Sequence, residues 1–457
     1  MTETKKGFFK KSGDVDMTVG SISKHIIMFA LPLFIGNIFQ QLYNTVDTWV
    51  VGNYVSNEAF SAVGTVGPII NLLIGFFMGF SSGAGVVISQ YYGAKRFDKV
   101  EKTVHTSMTA TFIFCILFTV LGVVLVPLML SLMKTPDDVL AEATEYLTIY
   151  FAGVSGLLIY NIGSGILRAV GDSARPFFFL VVSAVVNTVL DLVFVLCFNM
   201  GVEGVAYATV IAQGVSAVLV LIELMRTSSC IKLNIKKLGI DWEILGTVAK
   251  IGFPAALQLA ITAFSNVFVQ SYINYFGSDF MSGWTAYGKI DQLMLMPLTA
   301  VALAATTFVG QNLGVKDVER AKKGVRYSLL ISVVSTVILM IPIMVFAPQF
   351  TGFFNSKPQV VEYGAMLLRL ISPFYVLCCV NQVYASSLRG AGNSRAPMVL
   401  LVFSFVVFRQ IYLFIVTRFI SNTVIPVALS YPAGWLVASI LMTVYFKHVK
   451  LTDSRVV

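Results

Sequence analysis

Leu167-Arg168-Ala169-Val170-Gly171-Asp172-Ser173 returns 221 residues later as Leu388-Arg389-Gly390-Ala391-Gly392-Asn393-Ser394, and each run is followed by a proline, Pro176 and Pro397. A second pair keeps the same offset: Gln90-Tyr91-Tyr92-Gly93-Ala94-Lys95 and Gln311-Asn312-Leu313-Gly314-Val315-Lys316. So do Ser61/Ser282, Gly67/Gly288, Ser107/Ser328, Leu180/Leu401 and Ser183/Ser404, while Pro32/Pro254 and Asn44/Asn266 fit with one residue of slippage. The chain therefore reads as two copies of one unit. Duplicated membrane bundles facing each other across a cavity are a common way to build alternating access. The repeat points to moving a solute rather than to chemistry on it.

Working outward, the composition makes the repeated unit a membrane bundle. Hydrophobic residues are 57% of the chain and charged residues only 12%, against roughly half and a quarter in soluble domains. Met108–Met133, Tyr327–Ser356 and Phe419–Phe446 carry no charge at all, and each exceeds the roughly 20 residues that a helix needs to cross the hydrocarbon. Twelve helices are expected, at about 25–51, 60–91, 104–133, 145–168, 174–199, 203–225, 245–275, 282–312, 325–354, 362–388, 395–417 and 423–446, with edges uncertain by about 2–4 residues. The fold class is an all-α polytopic membrane protein with two six-helix lobes.

The net charge of +9 follows loop position and carries no nucleic-acid signature. Basic residues crowd the N-terminus (Lys5, Lys6, Lys10, Lys11, Lys24), the second loop (Lys95, Arg96, Lys99, Lys102), the sixth (Lys232, Lys236, Lys237), the eighth (Lys316, Arg320, Lys322, Lys323, Arg326) and the C-terminus (Lys447, Lys450, Arg455). The loops between are nearly free of them; the third sets Lys134 among Asp137, Asp138 and Glu142. The positive-inside bias then places both termini in the cytoplasm, in a plasma (inner) membrane. The organisation expected is a cytoplasmic segment 1–24, an N-lobe 25–225, a cytoplasmic linker 226–244, a C-lobe 245–446 and a cytoplasmic tail 447–457. No cleavable signal peptide is read at the start. Cys115, Cys197, Cys230, Cys378 and Cys379 show no disulfide or metal-ligand spacing and read as packing residues.

A carboxylate inside a span is costly unless paired, solvated or protonated, so each is a functional hypothesis by default. The N-lobe offers Asp47 in the first helix and Asp191 in the fifth, with Asn187 one turn earlier on the same face. Thr209 in the sixth helix falls at matching depth by the rise of about 1.5 Å per residue. Two acids, an amide and a hydroxyl make an oxygen-rich pocket for a hard cation such as Na⁺, or for protons shared between carboxylates. The competing reading puts Asp47 at the outer interface and Asp191 in a plain interhelical hydrogen bond. In the C-lobe the positions 221 after Asn187 and Asp191 are Phe408 and Tyr412, so the acid site is not duplicated. Lys289 and Asp291 suggest an internal ion pair, and Arg409 a buried cation that either closes the lobe or meets substrate. Pro32 and Pro254 stand at equivalent places in the first and seventh helices, where each removes a backbone hydrogen bond and permits a bend. High aromatic and methionine content suits either lipid contact or a cavity for flat cationic compounds.

These residues together resemble the multidrug and toxic compound extrusion (MATE) family over nearly the whole length. They are Leu31-Pro32 through Val46-Asp47-Thr48 with Gly52, the two Gln-x-x-Gly helix ends, both Leu-Arg-x-x-Gly loops, and Asn187-x-x-x-Asp191. The resemblance implies twelve helices in two lobes forming a V, and export of organic cations, drugs and other amphipathic toxins in exchange for H⁺ or Na⁺. It implies no cofactor, no enzymatic activity and no nucleic-acid partner. The expected partners are small amphipathic or cationic molecules and the lipid bilayer, around a monomer. Carried over residue by residue, it puts Asp47, Asn187, Asp191 and Thr209 in the cation site, with Tyr43, Tyr146 and Asn161 as hydrogen-bonding neighbours. Some relatives carry acids in the seventh and tenth helices; here those helices offer Gln258 and Asn381-Gln382, which argues for the first-lobe acids. A lipid-linked oligosaccharide flippase is the alternative, but it wants several arginines for a diphosphate, and only Arg409 and Arg369 suggest themselves. A membrane enzyme ranks third, because His25, His105 and His448 form no nucleophile–base or metal-ligand cluster.

Overall fold

The computed structural model describes residues 13–133, 135–452 and 456, excluding the side chains of Thr48, Asn53, Asn57 and Phe60. Lys5, Lys6, Lys10, Lys11, Lys134 and Arg455 lie outside that set. The first half contains α1 (Ile22–Tyr54), α2 (Asn57–Gly93), α3 (Phe97–Leu132), the two-piece α4 (Asp137–Ala152 and Val154–Ala169), α5 (Ala174–Leu192, continued as a π-helix over Val193–Cys197) and α6 (Val202–Arg226). The second contains α7 (Trp242–Asn274), α8 (Ser278–Gly314), α9 (Val318–Val345), α10 (Pro358–Ile371 with Tyr375–Gly390), α11 (Arg395–Val402 and Arg409–Ile415, with π turns Phe403–Phe408 and Val416–Ile420) and α12 (Val424–Ala428 with Ser430–His448). A short helix, Ala347–Phe354, precedes α10. Among the described residues eleven helices are long and apolar enough to cross a membrane, and the bent α4 brings the number to twelve. Among the described residues there is no strand.

Local chemistry explains the ends. Ser56 Oγ accepts the Ala59 N–H at 3.0 Å and Asp241 Oδ1 the Ile244 N–H at 3.2 Å, satisfying donors that the first helical turn leaves free. The repeated Leu-Arg-x-x-Gly run is a helix stop. Gly171 (φ +89°) and Gly392 (φ +95°) sit in the left-handed region, and the following N–H groups, of Asp172 and Asn393, return to Leu167 O and Leu388 O at 3.1 and 2.9 Å, closing a Schellman-type cap. Its consequence is positional: Arg168 and Arg389 end up on the last turns of α4 and α10.

The expected fourth helix, 145–168, differs from the structure. It begins eight residues earlier and breaks by 47° after Ala152. The break falls at Gly153, where a Cβ would lie 2.0 Å from Val210 Cγ1 of α6. Only glycine lets α4 turn onto α6 there, and that turn brings Tyr146 beside Thr209.

Residues 22–226 and 242–448 pack as two six-helix lobes. Outward faces of α3 and α9 carry exposed apolar stripes such as Ile113, Ile116, Val120 and Val124, and Leu330, Val334, Ile338 and Ile341, as the spans of a membrane bundle do. The lobes meet through α1, α2, α7 and α8. Ile26, Phe29 and Ala30 of α1 pack with Ala300, Ala304 and Phe308 of α8. Gly83 of α2 approaches Val248 O of α7 so closely that a Cβ would stand 2.4 Å away, and Gly93 would meet Gln311 O of α8 at 2.0 Å. Met17 and Val456 lie on the same face as those last contacts, which we call the terminal face. There the lobes are shut. Towards the opposite, far face they part around a cleft of about 1250 Å³, bordered by Asn44, Trp49 and Gly52 of α1, Gly67 and Asn71 of α2, and Lys289 and Gln292 of α8.

Candidate functional site

Four side chains picked out in the sequence meet inside the first lobe. Asp47 comes from α1, Asn187 and Asp191 from one face of α5, and Thr209 from the start of α6; α5 packs against both α1 and α6. Asp47, Asn187 and Asp191 are 9%, 2% and 0% exposed, so water from outside the fold does not satisfy them. The two carboxyl groups are close enough to interact electrostatically. Asp47 Oδ1, both Asp191 oxygens, both polar atoms of the Asn187 amide and Thr209 Oγ1 have no hydrogen-bond partner among the described residues. Buried polar atoms are nearly always paired. Six unpaired ones gathered from four residues on three helices mark a polar cluster that the described protein groups leave incomplete.

The neighbours sort by depth. Tyr146 of α4 is buried beside Asp47 and Thr209. Tyr43, one turn before Asp47, faces the acid on one side and a second cavity of about 200 Å³ on the other. Asn161 lines that cavity too, but its Nδ2 donates to Leu157 O at 2.8 Å on its own helix, while its backbone oxygen accepts from Ser81 Oγ at 2.7 Å. It sits nearer the terminal face than the acids. Asn37 and Gln40 border both this cavity and the central cleft, so the two spaces adjoin. Pro32 also lines the smaller cavity, inside an unbroken α1; Pro254 is buried inside α7.

In the second lobe the structure corrects two readings. Lys289 and Asp291 do not pair. Positions two apart on a helix point different ways: Lys289 is exposed on the cleft, whereas Asp291 Oδ1 accepts from the hydroxyls of Tyr287, at 3.2 Å, and Tyr375. The second correction concerns the residue equivalent to Asn187. The π turn Phe403–Phe408 inserts one residue, so the buried positions Ser183, Asn187 and Asp191 are matched by Ser404, Arg409 and Leu413. Phe408 and Tyr412 are rotated off that face. The acid is still absent, but a guanidinium occupies the place of the amide. Arg409 donates to Asn266 Oδ1 at 2.7 Å and Ser265 Oγ at 3.2 Å and lies 4.8 Å over the Tyr431 ring. Asn266 is the repeat mate of Asn44. Asn381 is tied to Trp435 O and Ser439 Oγ at 3.2 and 3.1 Å, and Gln258 Oε1 accepts from Arg389 Nη2 at 2.9 Å.

Sequence reasoning passed over Arg168 and Arg389 when it weighed arginines near the cavity. Arg168 lines the smaller cavity, whereas Arg369, which it did weigh, is exposed and hydrogen-bonded to Met344 O. The signal was present: both arginines belong to the repeated stretch itself. It also passed over the closure of the terminal face. Gln90 Nε2 donates to Gly390 O at 2.9 Å and Gln311 Nε2 to Ala169 O at 3.0 Å. Each lobe thus caps the repeated helix end of the other.

The architecture has close counterparts. A MOP superfamily transporter from Pyrococcus furiosus superposes with a TM-score of 0.90 at 24% identity, covering 96% of this chain and 98% of that one. An outward-facing multidrug resistance MATE family transporter gives 0.88 at 24%, with the same shares covered. In sequence, the probable multidrug resistance protein YoeA of Bacillus subtilis is 26% identical over 436 residues, 94% of each chain. The MatE family pattern matches twice, at residues 32–193 and 254–415, one match in each lobe. Those two matches span most of the chain, which therefore belongs to the MatE family of membrane transporters, not enzymes.

Proposed function

We propose that the protein is a cation-coupled antiporter that exports organic cations, drugs and other amphipathic toxins by alternating access. The observation that carries the reading is the set of six unpaired polar atoms at Asp47, Asn187, Asp191 and Thr209. Two buried carboxyl groups close enough to interact cannot both be ionised without a counter-charge, so the pair takes up a proton or a cation before it is comfortable. Of the two coupling ions, H⁺ fits the carboxyl–carboxyl approach most directly, with Na⁺ as the alternative occupant of the same oxygens. Names of relatives such as the multidrug resistance protein of B. subtilis support an amphipathic, drug-like substrate.

In this reading the terminal face is cytoplasmic, the membrane is the plasma membrane, and the chain acts as a monomer. Residues 25–225 and 245–446 are the moving lobes and 226–244 the linker between them. With the cleft open to the far side, H⁺ or Na⁺ from outside loads Asp47 and Asp191. Neutralising them favours a bend of α1 at Pro32, which displaces Tyr43 and Gln40 from the cavity wall and expels substrate outward. The loaded, substrate-free protein then turns inward, releases the ion and accepts new substrate. Each charge moved is driven by about 2.3 kcal/mol per 100 mV.

The test is efflux of a fluorescent organic cation from cells or everted vesicles, with ΔpH and a Na⁺ gradient imposed separately. Wild type is expected to respond to a gradient, and Asp191→Asn to fall at least tenfold, to background. Efflux that ignores the mutation would remove the ion site from Asp191. Folded wild-type protein without efflux under either gradient would overturn the antiporter reading.

A further inference from the structure

We propose that Arg168 forms an anion-binding subsite at the terminal-face end of the first-lobe cavity, selecting substrates in which an acidic group, carboxylate or phosphate, is attached to a planar apolar body. This rests on the transport reading above but concerns a different part of the cavity. Gly36, which lines the cavity with Arg168, is eleven residues before Asp47 on α1, about 16 Å along the axis.

The argument comes from the difference between the repeats. In the second lobe the guanidinium of Arg389 has an acceptor, Gln258 Oε1 at 2.9 Å. Gln258 follows Pro254 by four residues. The residue that follows Pro32 by four is Gly36. Glycine offers no acceptor, and the space the glutamine side chain would take is part of the cavity that both Gly36 and Arg168 line. Among the described residues the Arg168 guanidinium accordingly has no side-chain hydrogen bond or ion pair; it is half-buried on the cavity wall, where it interacts electrostatically with the Tyr160 phenol. A cation left without a partner inside a membrane bundle is expensive. In the duplicate a single amide takes one donor of the guanidinium, at Nη2, while Nε stays unpaired among the described residues; an amide at the Gly36 position would offer Arg168 the same acceptor.

The rest of the lining fits an anion. Side chains around Arg168 are hydroxyls, amides and apolar groups, with Tyr43, Tyr160 and Phe177 as flat surfaces, and no carboxylate among them. Asp47 and Asp191 lie beyond Tyr43. Guanidinium suits planar, bidentate recognition of carboxylate or phosphate, and the adjoining cleft of about 1250 Å³ leaves room for the remainder of the molecule.

The probes are flavin mononucleotide and riboflavin, which share a planar ring and differ by one phosphate. Binding is followed by fluorescence anisotropy with the full chain in phosphatidylcholine nanodiscs. Wild type is expected to bind the phosphorylated flavin at least tenfold more tightly. Arg168→Gln should erase that preference. Gly36→Gln should erase most of it as well, by supplying the acceptor that the second lobe has; its Cβ would meet only the movable tips of Phe177 and Leu180, at 3.3 and 3.4 Å. Arg168→Lys should keep part of it. Unchanged elution and thermal unfolding of the variants show that they fold. No preference in the wild type, or a preference that survives Arg168→Gln in folded protein, would overturn the proposal. So would a preference lost when phosphatidylglycerol replaces half of the phosphatidylcholine, because the arginine would then serve a lipid headgroup. None of these measurements depends on an ion gradient, so their failure is separate from failure of the antiport reading.

Discussion

Thr209 is the residue at which a proton and a sodium ion part company. A Na⁺ ion wants five or six oxygens, and a hydroxyl lost from its shell weakens binding directly, whereas a proton shared between Asp47 and Asp191 does not need Oγ1 at all. With the carboxyl groups close enough to interact, proton coupling predicts that Thr209→Val leaves ΔpH-driven efflux within about threefold of wild type. A rise of tenfold or more in the half-saturating Na⁺ concentration, worth about 1.4 kcal/mol, would instead identify the sodium ion. These four residues were legible in the sequence because a polar side chain in an apolar span has few innocent explanations. Arg168 was less legible, since at a helix end arginine is ordinary. What makes it unusual is the missing partner at Gly36, and an absent side chain leaves a signal only when the repeat mate is laid beside it.

At the scale of elements, apolar length located every span, but breaks within spans follow packing. Gly153 looked like any glycine in an apolar stretch; its role depends on Val210, 57 residues away in sequence. Gly153→Ala would drive a Cβ to 2.0 Å of Val210 Cγ1, and overpacking of this kind costs about 1–3 kcal/mol. Its thermal unfolding midpoint should drop by a few degrees. Gly214→Ala is the control, because nothing stands within 4 Å of a Cβ there, and alanine favours the helix by about 0.5–1 kcal/mol. Equal midpoints for the two variants would show that the bend of α4 does not depend on glycine. The π turn Phe403–Phe408 was hidden for a related reason. A fixed offset of 221 points to Phe408, and only a register change of one residue, enforced by burial, brings Arg409 to Asn266.

For the whole molecule the decisive balance is between a cleft open to the far face and one open to the terminal face. The closed terminal face is held by contacts that pair one lobe with the other in both directions. Gln311 donates to Ala169 O at 3.0 Å and accepts the Met17 N–H at 2.9 Å; Gln90 donates to Gly390 O at 2.9 Å and accepts the Val456 N–H at 2.8 Å. Two of the partners, Ala169 and Gly390, belong to the opposite lobe and the other two to the terminal segments, so opening the terminal face must break at least the Gln311–Ala169 and Gln90–Gly390 bonds. Both glutamines are fully buried, where an unsatisfied group costs about 1–3 kcal/mol. Gln311→Ala therefore weakens the closed form by about that amount and should raise the share opened at the terminal face roughly tenfold, since 1.4 kcal/mol is a factor of ten. Spin labels on cysteines at the exposed repeat mates Lys102 and Lys323 would report it as a longer-distance population growing in the variant. Gln90→Ala should act in the same direction, and the double variant should do no more than sum the two. If the distance distribution is unchanged in both single variants, the reciprocal glutamines are packing residues, and the close helix crossings at Gly83, Gly93 and Gly314, with the apolar contact of α1 and α8, hold that face shut.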